Sequence, residues 1–188
     1  MALVIAMVFG ILMAVFKGND SGIRMAIGNS SAPWLILPFV AAAMTTRHRV
    51  FQSALVGLCA SMIGLFGFYF ANIFVLDIGP HPELSPYPLV ADFLASIRSG
   101  KIYFILACLS GPIFGILGGY LHQKRTNMFL VFTATLFVLE PCFGLLYVRF
   151  FSGFTYYVDY PMVWLVEAVF GVILFIFIIV RFRPTQRS

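Results

Sequence analysis

The sequence predicts an all-α membrane protein: a polytopic bundle of about six transmembrane helices with both termini in the cytoplasm. Of its 188 residues, 61% are hydrophobic and only 10% are charged, and the mean hydropathy is +0.99. Soluble domains average about 25% charged residues, and a soluble chain of this size cannot bury so much apolar surface. The apolar residues form long runs without the alternation of a membrane β-barrel, which favours helices.

Six apolar runs predict the transmembrane helices, each of which needs about 20 residues to cross a ~30 Å hydrocarbon core. The runs occupy residues 1–16, 34–46, 50–76, 102–121, 128–148 and 162–180. The last four are long enough to cross. The first two are short and allow two interpretations: thin, tilted spans, or a hairpin that does not fully cross. Because the runs use most of the chain, we expect residues 1–188 to form a single transmembrane domain.

The distribution of Lys and Arg predicts the orientation, because short cytoplasmic loops are enriched in these residues. One side of the predicted bundle receives seven cations and no acid, in segments 47–49, 124–125 and 181–187. The other side receives five cations and five acids. The first side is therefore predicted to be cytoplasmic, which places the loop 77–101 outside. Residues 89–98 of this loop are typical of a short amphipathic helix on the membrane surface.

Several functional classes are disfavoured by the composition. The net charge of +5 comes from helix ends, with no basic stripe interleaved with exposed aromatics, so we expect no nucleic-acid partner. The chain has no Walker A, GxSxG or HExxH motif. Its three histidines fall in three separate loops and its three cysteines lie in apolar runs without a CxxC pair. We therefore expect no metal site and no cofactor, and an enzyme is the least favoured class.

Two of the seven acids, Glu140 and Glu167, lie inside apolar runs. An ionisable group at the bilayer centre costs about 2.5–3.5 kcal/mol on insertion scales, so it usually faces a bundle interior or a wet cavity. Counted at 1.5 Å per residue, the two acids lie about 12 and 8 Å below the outer ends of runs five and six. Two interpretations are open: a proton, cation or polar-solute site in the outer half of the bundle, or two protonated carboxyls hydrogen-bonded to neighbouring helices.

Two asparagines are candidate members of the same site. Asn72 lies near the outer end of the third run, where it either joins the glutamates or sits at the membrane interface. Asn29 belongs to the segment 28–34, which enters the second run from outside. Ser or Asn caps helix starts, Pro suits the first turn and Trp anchors at the interface. The segment is therefore either an ordinary helix start or a polar loop above the site.

Small residues and prolines mark the packing of the fourth and fifth runs. Gly111, Gly115 and Gly119 recur every four residues, which predicts a helix face that another helix approaches closely. Pro112 and Pro141 lie inside their runs and predict kinks, since proline removes a helical hydrogen bond. The kink at Pro112 serves either packing or gating.

Four groups of residues also carry a family resemblance. In chain order they are Asn29-Ser30 followed by Trp34, Gly111-Pro112-Ile113-Phe114-Gly115, Glu140 ahead of an apolar stretch, and Trp164 with Glu167 and Gly171. With this order the chain resembles an uncharacterised bacterial family of small six-helix membrane proteins, known only as a domain of unknown function. Pro141 departs from the family's pattern, which has Gly after this Glu. The resemblance implies six spans and no known activity.

The favoured function is that of a transporter-like or small-solute-binding protein of the cell membrane, with a polar site built from the two glutamates and two asparagines. One alternative is the substrate-binding subunit of a larger transport complex. Its size and span number are similar to the vitamin-binding subunits of energy-coupling-factor transporters, whose small-residue surface is suggested by Ala2 and Ala6. The other alternative is a non-catalytic scaffold that holds a partner on its glycine face. Expected partners are the lipid bilayer, a small polar solute or cation, and a further copy or membrane subunit.

The topology is testable by accessibility. Tags at either terminus should be reached only from the cytoplasm, and a Ser85→Cys variant should react with a membrane-impermeant thiol reagent added outside, because the positive-inside rule places residues 77–101 there. The opposite labelling pattern would overturn the charge argument.

Overall fold

The computed structural model describes residues 1–18, 24, 28, 30–45, 49–75, 88–124, 126–150 and 161–181. In this part of the chain the helices are α1 (Ala2–Lys17), α2 (Ala32–Thr45), α3 (Val50–Val75), α4 (Pro88–Ser99), α5 (Lys101–Lys124), α6 (Thr126–Phe150) and α7 (Pro161–Arg181). The prediction of an all-α bundle is confirmed. Helix α4 coincides with the amphipathic segment expected in the outer loop, and the rest of that loop up to residue 87 lies outside the described residues.

Three helical segments are long and apolar enough to cross a membrane: Val50–Val75, Lys101–Leu121 and Met162–Val180. Shorter apolar segments are Ala2–Lys17, Ala32–Thr45 and Leu130–Cys142. At 1.5 Å per residue, α1 and α2 are about 24 and 21 Å long, less than the ~30 Å hydrocarbon core. The three long segments support a membrane protein, while the count of six crossings and the cytoplasmic termini stay predictions.

Helix α3 is the centre of the larger helical unit, because α1, α2 and α5 all pack against it. Its contact with α1 is made by small residues: a Cβ added at Gly10 would lie 1.9 Å from the carbonyl oxygen of Gly64. Such close backbone approach is typical of packing between membrane helices. Ala2 and Ala6 lie on the same buried face of α1. The small-residue surface that suggested a docking site is therefore covered by the chain itself.

The contact between α3 and α5 is equally close. A Cβ added at Gly115 would lie 2.3 Å from the carbonyl oxygen of Ser53, and one added at Gly57 would lie 2.2 Å from the carbonyl oxygen of Gly111. No side chain fits between these backbones. The helix that approaches the glycine face of α5 is thus α3 of the same chain.

Helix α2 lies against the adjacent face of α5. A Cβ added at Gly118 would lie 2.1 Å from the carbonyl oxygen of Phe39, and Gly119 is also buried. Pro38 and Phe39 are among the most deeply buried side chains. This contact fixes the position of α2 in the larger unit.

Helices α6 and α7 form a hairpin and pack chiefly on each other. A Cβ added at Gly171 would lie 2.7 Å from Cγ2 of Val138 and 3.0 Å from the carbonyl oxygen of Ala134. The rings of Phe137 and Phe170 meet edge to face at 5.1 Å. Many apolar side chains of α7 outside this contact are exposed, which suits contact with lipid.

The segment before α2 is tied to the end of α1. Arg24 donates from Nε to the carbonyl oxygen of Phe16 and from Nη2 to that of Val15, both at 3.0 Å. These carbonyls lie in the last turn of α1, where no helical donors remain and a cation also matches the helix dipole. Gly28 packs directly against Lys17. Both contacts help to hold the approach to α2 in place.

Because α3 and α5 are in such close contact, replacing a glycine of α5 by alanine should destabilise the protein. Alanine normally stabilises a helix by about 1 kcal/mol relative to glycine. Gly115→Ala should instead lower stability by about 1–3 kcal/mol, because its Cβ forces two backbones apart. Thermal unfolding of the purified protein measures the change, and Cys108→Ala, at an exposed position on the same helix, is the matched control. Equal or higher stability of Gly115→Ala would show that the interface tolerates a methyl group.

Candidate functional site

The candidate site is built around the start of α2. The first helical bond runs from the amide of Leu35 to the carbonyl oxygen of Ser31, so Ser31 is the N-cap residue. The amides of Ser31 and Ala32 both donate to the carboxyl group of Glu140, one to each oxygen. Pro33 has no N–H to satisfy. A side chain from α6, distant in sequence, therefore caps this helix in place of a local Ser or Asn.

A serine hydroxyl links this cap to the second acid. Ser30 Oγ lies 3.0 Å from Oε2 of Glu140 and 3.2 Å from Oε1 of Glu167. The two carboxyl groups are close enough to interact electrostatically. Ser30 is 4% exposed and Glu167 is 9% exposed, whereas Glu140 is half-buried. The structure thus brings Glu140 and Glu167 together, with Ser30 between them.

Ser30 makes two contacts with the carboxyl pair but has only one hydroxyl proton. A serine hydroxyl has one proton to donate and can accept through its lone pairs. One hydroxyl proton can be shared between two acceptors, or Ser30 can donate to one carboxyl and accept from the other when that one is protonated. Two carboxyl groups in such an arrangement can also share one proton.

The two acids have unequal surroundings. Both oxygens of Glu140 accept backbone N–H bonds at a helix N-terminus, where the helix dipole favours negative charge. Glu167 lies on the buried face of α7 with Trp164 and receives its described contacts from Ser30 and Glu140. Backbone N–H donors at a helix start thus bind Glu140, whereas the described partners of Glu167 are side chains.

The site lies well below the ends of the hairpin helices. At 1.5 Å per residue, Glu140 is about 15 Å from the end of α6 at Phe150, and Glu167 is about 9 Å from the start of α7 at Pro161. Ala32, the first residue of α2, is only 1% exposed. The first helical residue of α2 is therefore buried in the bundle, directly after the exposed Ser31.

The two asparagines do not contribute described contacts to this cluster. Asn72 is 5% exposed in α3 and its Oδ1 has no hydrogen-bond partner among the described residues. None of the described hydrogen bonds of the carboxyl pair reaches it. Asn29 lies outside the described residues. Their assignment to the site stays a prediction, as does the binding of any solute.

The remaining candidates are placed elsewhere or have other contacts. Pro112 and Pro141 lie inside the helices α5 and α6, which continue through them. Asp92, on α4, is buried, and its Oδ2 has no partner in the described part of the chain. Across the described ranges, no group of three or more His, Cys, Asp or Glu side chains could hold a metal ion.

Ser30 is the site residue that the sequence did not single out for this role. Its neighbour Asn29 was the candidate, and the segment was interpreted as a cap or a polar loop. The available signal was a serine directly before a short apolar helix that has proline in its first turn. That pattern locates a helix start, but it does not show that the helix starts next to two distant acids.

Comparison with known proteins gives a family but no activity. The model of a family of unknown function, DUF6518, matches residues 1–187. This confirms the resemblance to an uncharacterised family. No curated protein and no solved structure matches the chain.

Adjacent serines provide a test of the cluster. Ser30→Ala removes the hydroxyl between the carboxyls and should lower the free energy of unfolding by about 1–3 kcal/mol, the cost of leaving a buried polar group unsatisfied. Ser31→Ala is the matched control and should be nearly silent, because Ser31 is exposed and bonds Glu140 through its backbone amide.

A double-mutant cycle of Ser30→Ala with Glu140→Gln, measured by chemical denaturation, should be non-additive, since the two side chains are in contact. Additive energies, or equal effects at the two serines, would contradict the shared network.

Proposed function

The chain belongs to the family of unknown function DUF6518, and we propose that this member is a transporter-like, small-solute-binding protein of the cell membrane. Its proton site is the pair Glu140 and Glu167. The proton is exchanged for a cation, or moves together with a polar solute, in the outer half of the bundle.

The single observation that carries the proposal is the placement of Ser30 Oγ within hydrogen-bonding distance of both carboxyl groups. Ionisable groups inside apolar helices are costly and usually mark ion or proton pathways. A lone buried acid can be neutralised by a permanent proton. A pair that shares one proton has a second position at which a proton or cation can bind, because the remaining negative charge is delocalised over both groups.

The short helix α2 supports the same class of function. In many secondary transporters the binding site is formed by discontinuous helices whose N-termini point at anionic groups inside the membrane. Here α2 begins inside the bundle and its first amides meet the carboxyl of Glu140. Glu140 is half-buried and Glu167 is buried, so Glu140 is the side of the pair from which a proton or solute enters.

The sequence suggested two alternative functions, a binding subunit and a scaffold, from small-residue surfaces that are covered within this chain. Ala2 and Ala6 face α3, and the glycines of α5 face α3 and α2. A binding subunit or a scaffold would need a different docking surface. Copurification of an ATPase partner would favour the subunit.

Proton binding is measured by infrared spectroscopy of the protein in lipid nanodiscs. The wild type should show a protonated-carboxyl C=O band that grows as the buffer is acidified. In difference spectra against the wild type, Glu140→Gln and Glu167→Gln should each remove the same part of this titrating band, because each variant removes one partner of the shared proton. Asp92→Asn, at a buried acid outside the cluster, is the matched control and should leave that part unchanged. Difference spectra in which neither Gln variant loses a titrating component would contradict the proton site.

Solute binding is tested by a thermal-shift screen of small polar solutes and monovalent cations at acidic and neutral pH. A solute of this site should stabilise the wild type in a pH-dependent way and lose at least tenfold in affinity in both Gln variants. Stabilisation that is independent of pH and equal in the variants would place the solute elsewhere.

A further inference from the structure

The described helices form two packing units with a narrow contact between them. The core unit consists of α1, α2, α3 and α5, joined through the small residues of α3 and the glycine face of α5. The hairpin unit consists of α6 and α7, joined along the face of α7 that carries Gly171. Helix α6 reaches the core unit through α5 and, over a small area, α2.

Two different groups of side chains make this contact. Toward the start of α6, Phe132 stacks on Phe39 of α2 at 4.5 Å and lies against Phe114 of α5 at 5.7 Å. About 12 Å further along α6, Glu140 binds the start of α2. The first contact is apolar and has no titratable group, whereas the second depends on charge.

We propose that the carboxylate of Glu140 is a proton-operated latch between the two units. With one proton on the pair, Glu140 is an anion and holds the start of α2. When a second proton arrives, Glu140 becomes a neutral acid and its hydrogen bonds to the amides of Ser31 and Ala32 lose their charge assistance. The hairpin unit then tilts away from α2 at the outer end and pivots about Phe132.

Few titratable or charged groups among the described residues contact Glu140, so few could oppose its protonation. From α7, the titratable group in contact is Glu167; from the start of α2, the contacts are Ser30 and backbone amides. The described ring contact from α5 to α6 is made by Phe114. Among the described residues, no cation is paired with either carboxyl. A second proton therefore removes the main charge that attracts α6 to α2.

The local sequence of α6 suits a bend next to the latch. Pro141 follows Glu140 and lacks an N–H, so the carbonyl of Phe137 has no helical donor. Helices bend at such points because one bond of the ladder is missing. The part of α6 beyond Pro141 can therefore change its angle as the hairpin unit tilts, without breaking further backbone hydrogen bonds.

The latch uses the carboxyl pair of the proposed function, but it is measured without any solute. In a background with all three cysteines replaced by Ala, spin labels are attached at Phe74→Cys and Met162→Cys, two exposed positions at the outer ends of α3 and α7. Their distance distribution is recorded in nanodiscs by pulsed electron paramagnetic resonance. We expect a shift of several ångströms to longer distances on acidification.

Matched controls separate the latch from general unfolding. Labels at Val50→Cys and Val180→Cys, near the pivot end, should report little change. In the outer-label background, Glu140→Gln at neutral pH should give the distribution of the acidified protein, because Gln lacks the charge. Ser31→Ala should behave as the wild type, since it keeps the backbone donor.

The outcomes distinguish the two proposals. If the infrared band titrates while the outer distance is constant, the proton site stands and the latch is wrong. If neither changes with pH, both are wrong. The wild-type pH series alone decides the latch, so it does not depend on the folding of the Gln variant.

Discussion

A helix that starts inside an apolar bundle must find partners for its first amides, because neither water nor lipid supplies them there. Helix α2 meets this constraint in two ways. Pro33 removes one N–H from its first turn, and Glu140 accepts those of Ser31 and Ala32. The position of α6 relative to α2 follows from this bond, and the position of α7 follows from α6. The start of α2 is thus one of the two places at which the hairpin and core units are joined, the other being the ring contacts of Phe132.

The small residues of the core unit give this joint its geometry. Gly57 and Gly115 allow α3 and α5 to touch along their backbones, and Gly118 brings α5 against Phe39 of α2. With α2 fixed in this way, its first residues face the hairpin at the depth of Glu140. A bulky residue at these contacts would move the start of α2 away from the acid. The packing of the core and the position of the site are therefore coupled, although Gly57, Gly115 and Gly118 themselves contact backbones of neighbouring helices.

Because the surroundings of the two acids differ, helix capping explains the presence of Glu140 but not that of Glu167. Glu140 satisfies backbone donors, which alone would justify an acid in this apolar helix. Among the described residues Glu167 accepts no backbone donor at a helix start, and its described hydrogen-bond partner is Ser30. The second acid is thus the stronger indication of function, because packing could be achieved without it. In the proposed latch, this second acid is what would make the helix cap respond to protonation.

The sequence by itself determined the helical membrane fold, the two acids inside apolar segments and the glycine face of α5. These features depend on composition and on the period of the α-helix, which are local properties. It also located the start of α2 to within about two residues. Only the tertiary structure decided that Glu140 caps this start, that Ser30 lies between the acids and that α3 is the partner of the glycine face. These contacts join residues more than 100 positions apart, or helices whose order in space is not encoded by their periodicity. They are set by which small surfaces fit together and by which buried donors need an acceptor.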